Sequence, residues 1–141
     1  MSSMRDNISQ ENRFIYVETP LGKDKLLLLS FSGYEEVSRL FSFQLEMISV
    51  DNNISFNDIV GKNVTFGLPG DPTGTMRYFN GYVTRFSQAP GLAGYARYQA
   101  EVSPSLWFLT RVADCRIFQN KTVPDIIKQI FSDNQLHDFQ D

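Results

Sequence analysis

Cysteine and histidine each occur once, at Cys115 and His137. That excludes an intramolecular disulfide and leaves too few ligands for a Cys/His zinc cage. Long apolar runs are missing too. The longest, Leu26 to Leu29, spans four residues, far below the roughly 20 that cross a bilayer. The polar opening MSSMRDNISQENR lacks the apolar stretch of a signal peptide. Positive charge is not in excess: 13 Lys and Arg stand against 16 Asp and Glu, a net charge of -3, which argues against a polyanion as the main partner. No Gly-Lys-Ser/Thr phosphate loop, three-glycine dinucleotide turn, Gly-x-Ser-x-Gly elbow or His-Glu-x-x-His pair occurs.

What the sequence does hold is core-forming material. Its 141 residues are 42% hydrophobic, with 12 Phe and 6 Tyr. One domain of this length buries close to 70% of its unfolded surface and needs no covalent staple.

Residues 1–12 are polar and read as a disordered leader. Phe14-Ile15-Tyr16-Val17 and Lys25 to Phe31 read as two strands of a β-hairpin around Thr19-Pro20-Leu21-Gly22. From Phe41, apolar and polar residues alternate strictly: Phe41, Phe43, Leu45 and Met47 share one face of a half-buried strand. Ser55 to Gly61 reads as one or two helical turns, with Ser55 as cap and Gly61 as stop. Val64, Phe66 and Leu68 form the next strand, closed by the turn formers Pro69 to Gly74.

Residues 77–86 then place Phe79, Gly81 and Val83 on one face, and Phe86 breaks register, which predicts a bulge. Pro90 to Gly94 turns the chain into a strand carrying Ala96, Tyr98, Ala100 and Val102. Pro104 to Val112 switches to helical spacing, a short helix expected to close over the sheet. Arg116 to Gln119 reads as a brief extended piece. Thr122, Pro124 and Asp125 then open an amphipathic helix built on Val123, Ile126, Ile127, Ile130 and Phe131. The fold class is mainly β with short helices: a small antiparallel β-barrel plus an amphipathic helix at the C-terminal end.

The search for chemistry assigns no catalytic, cofactor-binding or metal-binding residue, and no cofactor. His137 lies in a polar tail. Cys115, between Asp114 and Arg116, reads as a packing residue rather than a reactive thiol. Asp114, flanked by Arg111 and Arg116, reads as an ion-pairing group at a helix end. Glu35 and Glu36 beside Arg39 read as solvated charge. The Asn-x-Ser/Thr triplets at Asn7, Asn53, Asn63 and Asn120 are taken as chance. Arg77, Tyr78, Tyr82, Arg85, Phe86, Tyr95, Arg97 and Tyr98 interleave cations with rings, as single-strand-binding barrels do. The acidic balance weighs against nucleic acid, and the same residues serve equally well as protein-interface anchors.

Several blocks occur in the order seen in VgrG proteins. They are Phe41-Ser42-Phe43-Gln44-Leu45; Ile59-Val60-Gly61-Lys62; Phe79-Asn80-Gly81-Tyr82-Val83-Thr84-Arg85-Phe86; Tyr98 through Arg111; and Asp114 through Ile127. Over residues 13–138 the chain resembles that family, the spike proteins of the bacterial type VI secretion system, related to phage tail hubs.

The resemblance implies a non-enzymatic hub module of a contractile injection machine. It implies a homotrimer in the full-length protein, and as partners other spike chains, Hcp tube rings, baseplate proteins and effectors, with no nucleic acid and no membrane insertion by this segment. A phage or prophage baseplate hub is the close alternative, an oligonucleotide- or glycan-binding barrel a more distant one. On this reading 13–112 is the tail-hub-like barrel module and 113–141 begins a connecting segment toward a second module, so the chain reads as truncated. The location implied is the bacterial cytoplasm before firing, then translocation into a target cell, without a signal peptide. Phe79, Gly81, Val83, Trp107, Leu109, Ile117 and Phe118 are expected in the core.

Overall fold

A computed structural model describes residues 8–139. Six antiparallel strands form one sheet: β1 (Tyr16–Glu18), β2 (Leu27–Tyr34), β3 (Ser42–Ser49), β4 (Asn63–Pro69), β5 (Met76–Leu92) and β6 (Tyr95–Ser103). Their order across the sheet is β1-β4-β5-β6-β3-β2. The sheet curls until its two edge strands approach each other, a half-barrel closed around one apolar face.

Alternation explains which face is enclosed. Phe43, Leu45 and Met47 of β3, Tyr98, Ala100 and Val102 of β6, and Val64 and Phe66 of β4 all turn inward and are buried. Each Val, Leu, Met or Phe among them contributes about 1.5–3 kcal/mol by leaving water. Phe66 and Phe79 stack at 5.3 Å, with Phe31 and Phe43 edge-on or tilted around them at 5.0 to 5.6 Å. These four rings are the centre of the core, and the sheet curls tightly where backbone meets backbone. At Gly81, a Cβ would lie 2.7 Å from Val102 Cγ1 and 2.8 Å from the Ser103 carbonyl, so the bare glycine permits the close approach.

The alternating strands lie where the sequence places them, and the expected bulge appears where β5 shifts register against β6 between Val83 and Arg85. The hairpin expected from 14–31 does not form. β1 pairs with β4 (Val17 opposite Phe66) and β2 pairs with β3. The turn at Thr19 to Gly22 reverses the chain, with the Gly22 amide donating to the Thr19 carbonyl, yet the following strand crosses to the opposite sheet edge.

Pro90 and Gly91 are absorbed as a second irregularity inside β5, between Ala89 and Leu92. The reversal itself is made by Ala93 and Gly94, both at positive φ. Residues 55–61 form only one 3-10 turn, Phe56–Asp58, and Ser55 makes no side-chain cap bond. The leader reading falls partly outside the described residues. Within them, Ser9 and Gln10 bond to Asp24, and Gln10 also bonds to Val17.

A second compact unit begins at Ser105. It holds a 3-10 helix, Ser105–Arg111, and helix α1, Val123–Asp133. Thr122 caps α1 through a reciprocal capping box with Asp125. Arg116 to Gln119 forms no strand. Ile117, expected in the core, is 90% exposed, while Phe118, Trp107 and Leu109 are only half-buried. With only one turn-rich segment and one 11-residue helix, this unit has no opposing layer to bury them.

Candidate functional site

The outer face of the half-barrel has two chemistries. On β3, β6 and the middle of β5 it is ionic. Glu46 pairs with Arg97 and accepts from the Ser30 hydroxyl at 3.3 Å. Glu101 accepts from the Ser42 hydroxyl at 3.4 Å and faces Arg85 at 4.0 Å. Register creates this pattern, since Gln44 stands opposite Glu101 and Glu46 opposite Gln99, placing the polar residues of both strands on one side.

On β1, β4 and the start of β5 the outer face is uncharged apart from Glu18. The Tyr16 ring lies against the bare backbone of Gly67 and meets Tyr78 edge-on at 6.3 Å. Burial first, then the hydrogen bond and proximity of Tyr78, push the Tyr16 hydroxyl up to about 12. The side-chain amides of Asn63 and Asn80 exchange hydrogen bonds at 2.9 and 2.7 Å, and Asn80 also donates to Thr65 at 2.8 Å.

The ring-and-cation series singled out in the sequence is dispersed. Tyr98 is fully buried, stacked on Phe86 at 5.2 Å, and Tyr82 is half-buried. Arg77 pairs with Glu35 at 2.8 Å and covers the Phe79 ring at 4.8 Å. Arg97 and Arg85 face carboxylates as described. The cations are thereby neutralised by neighbours on the same surface, and no continuous stacking platform forms. Glu36 pairs with Arg39 at 3.3 Å.

In the second unit Arg116 holds two carboxylates, Asp114 at 2.5 Å and Asp133 at 2.6 Å. It thereby ties the segment before α1 to the helix's last residue. Asp114 is therefore an ion-pairing group, with Arg116 as its partner, while Arg111 lies over the Trp107 ring at 4.4 Å. Cys115 and His137 are exposed. Among the described residues, no three His, Cys, Asp or Glu side chains come together as a metal cage.

Five carboxyls lie below the usual carboxylate range, each for a local reason. Asp24 accepts from the Gln10 amide, Asp51 from Lys25, Asp71 from the Thr73 hydroxyl, Asp114 from Arg116 and Asp125 from Thr122. All five are pinned as anions in turns, caps and ion pairs. That arrangement fastens loops and the start of α1. Sequence reasoning missed Gln10 and Asp51 and the pairing of Glu35 with Arg77, because the partners are distant in the chain and carry no motif.

Known proteins share this chain's pattern. Residues 34–141 match the family described as phage tail baseplate hub (GPD). The chain is 46% identical to type VI secretion system spike protein VgrG1c of Pseudomonas aeruginosa over 94% of its length, and 44% identical to VgrG1a of the same organism, also over 94%. It spans about a fifth of those relatives, 18% and 20% of their lengths.

A solved structure, the E. coli c3393 protein, aligns over 88% of this chain and 33% of its own, with a TM-score of 0.71 and 24% identity. It is described as a type VI secretion component with structural similarity to the T4 tail proteins gp27 and gp5. The half-barrel seen here is that fold. Each relative named is a spike or secretion component. With most of its length matched, the chain belongs to the phage tail baseplate hub family.

Proposed function

We propose that this segment is the N-terminal hub module of a type VI secretion spike. In the whole protein it joins two further copies around an axis, meets the Hcp tube and baseplate proteins, and travels with its effector from the bacterial cytoplasm into a target cell. Residues 113–141 open the connection toward a second module. The observation that carries this reading is the 46% identity to VgrG1c across nearly the whole chain. The ion-paired outer face fits it physically, since polar complementarity and exposed strand edges dock subunits without chemistry.

A chimeric spike tests it. The corresponding segment of P. aeruginosa VgrG1c is replaced by this chain, and release of Hcp into the medium is measured. Release close to that of the parent spike is expected. A chimera that accumulates normally yet releases no Hcp would overturn the proposal. A phage baseplate hub is the second reading, favoured by the family match itself, and it would be supported if the chain restored a phage hub and not the spike.

A further inference from the structure

The two edges of the sheet are finished differently. β2 presents eight uncharged residues along its edge, whereas β1 is three residues long and its outward backbone is already occupied. The Val17 amide donates to Gln10 Oε1 at 2.7 Å, and Gln10 Nε2 donates to the Val17 carbonyl at 2.9 Å. A primary amide is chemically a peptide group, and this two-bond exchange is what one residue of an antiparallel partner strand would make. One side chain thus stands where a seventh strand would pair.

We propose that the outer edge of β1 is a strand-acceptor site, held shut by Gln10, and that it takes an extended segment carrying basic side chains. A cleft of about 460 Å³ runs beside the edge, walled by Tyr16, Glu18, Thr19 and Lys23. The hydroxyl oxygen of Thr19, one of the lining residues, is buried and has no partner among the described residues. Residues 9–12 cover the edge without burying an apolar side chain. They are held chiefly by bonds from Ser9 (3.1 Å) and the Gln10 amide (2.9 Å) to Asp24, together with the Gln10–Val17 exchange. Such a cover peels away at small cost.

Charge selects the occupant. Glu11 leaves with the cover, and Glu18 together with Asp24, freed of Ser9 and Gln10, then faces the edge against Lys23, so a lysine- or arginine-bearing strand is attracted. A second copy of this edge would bring the same acids face to face, which disfavours self-pairing.

The test is an amide NMR titration of the full 141-residue chain with two synthetic probes, a peptide alternating valine with lysine and one alternating valine with glutamate. The lysine peptide is expected to shift residues 9–24 and to bind at least tenfold tighter than the glutamate peptide. Gln10→Ala removes the two competing bonds and should tighten lysine-peptide binding roughly tenfold. Gln10→Glu, which keeps the acceptor for Val17 and loses the donor, should fall between. Unaltered β5 and β6 resonances verify the fold, and if Gln10→Ala is unfolded, Gln10→Glu against the parent decides. Equal affinities in parent and variants, shifts confined to other strands, or dimerisation of Gln10→Ala in place of peptide binding would each overturn the proposal.

Discussion

The hydroxyl of Tyr98 donates to the main-chain carbonyl of Asp51 at 2.9 Å, tying the centre of β6 to the loop that leaves β3. The same oxygen accepts from the Ile54 amide at 3.4 Å, so one buried side chain satisfies two backbone groups of a loop without regular structure. Tyr98→Phe keeps the stack on Phe86 and orphans both groups. A loss of about 1–3 kcal/mol is expected, read as a lower urea midpoint with an unchanged slope.

Gly81 makes a sharper demand. An added methyl would meet Val102 and the Ser103 carbonyl well inside contact distance. Because one of these is backbone, β5 and β6 must separate. Gly81→Ala should therefore cost about 1–3 kcal/mol, whereas Gly74→Ala, where nothing lies within 4 Å, carries only the strain of its positive φ. Paired thermal melts of the two variants distinguish overpacking from backbone strain.

Acid should loosen the loops. Asp24, Asp51 and Asp125 are held below their ordinary value near 3.8, so the folded state prefers them ionised. Their contribution is complete above that value and is lost as pH falls through it toward the lower folded values. The melting temperature should be flat from neutrality to about pH 5 and then decline. Asp24→Asn combined with Asp51→Asn should flatten that decline, and an unchanged profile would refute the assignment.

Alkali acts through Tyr16. Its hydroxyl stays protonated to about pH 12 in the folded chain against an ordinary 10, so the neutral ring is preferred by the fold. The associated stability is present below pH 10 and disappears as pH rises through 12. A spectroscopic tyrosinate titration of the parent minus Tyr16→Phe should show one group ionising about two units late.

Much of the sheet was legible. Strict alternation in β3 and β6 leaves a single inward set at each position, and the cap residues Thr122, Pro124 and Asp125 specify the start of α1 from local chemistry alone. Strand partnership was not legible for β1, because Thr19 to Gly22 encodes a reversal without encoding which strand lies beside it, and Phe66 is far along the chain. Pro90-Gly91 looks like a reversal in sequence but is tolerated within β5 as an irregularity.

The outer surface was harder still. Arg77 with Glu35 and Arg97 with Glu46 are neighbours only after folding, so a run of cations and rings that suggests a binding stripe in sequence becomes a set of internal neutralisations. Ile117 shows the opposite error: its apolar nature argues for a core that its own unit does not supply.

β5 runs well past the end of β4, and the hairpin it makes with β6 carries no ionisable side chain among acids and bases from Phe86 to Ala96 apart from the phenol of Tyr95. Contacts made by that end would feel no Debye screening, while those made by the carboxylates and guanidinium groups of β3 and β6 weaken as ionic strength rises. Raising sodium chloride would therefore separate the two kinds of attachment, stripping one and sparing the other.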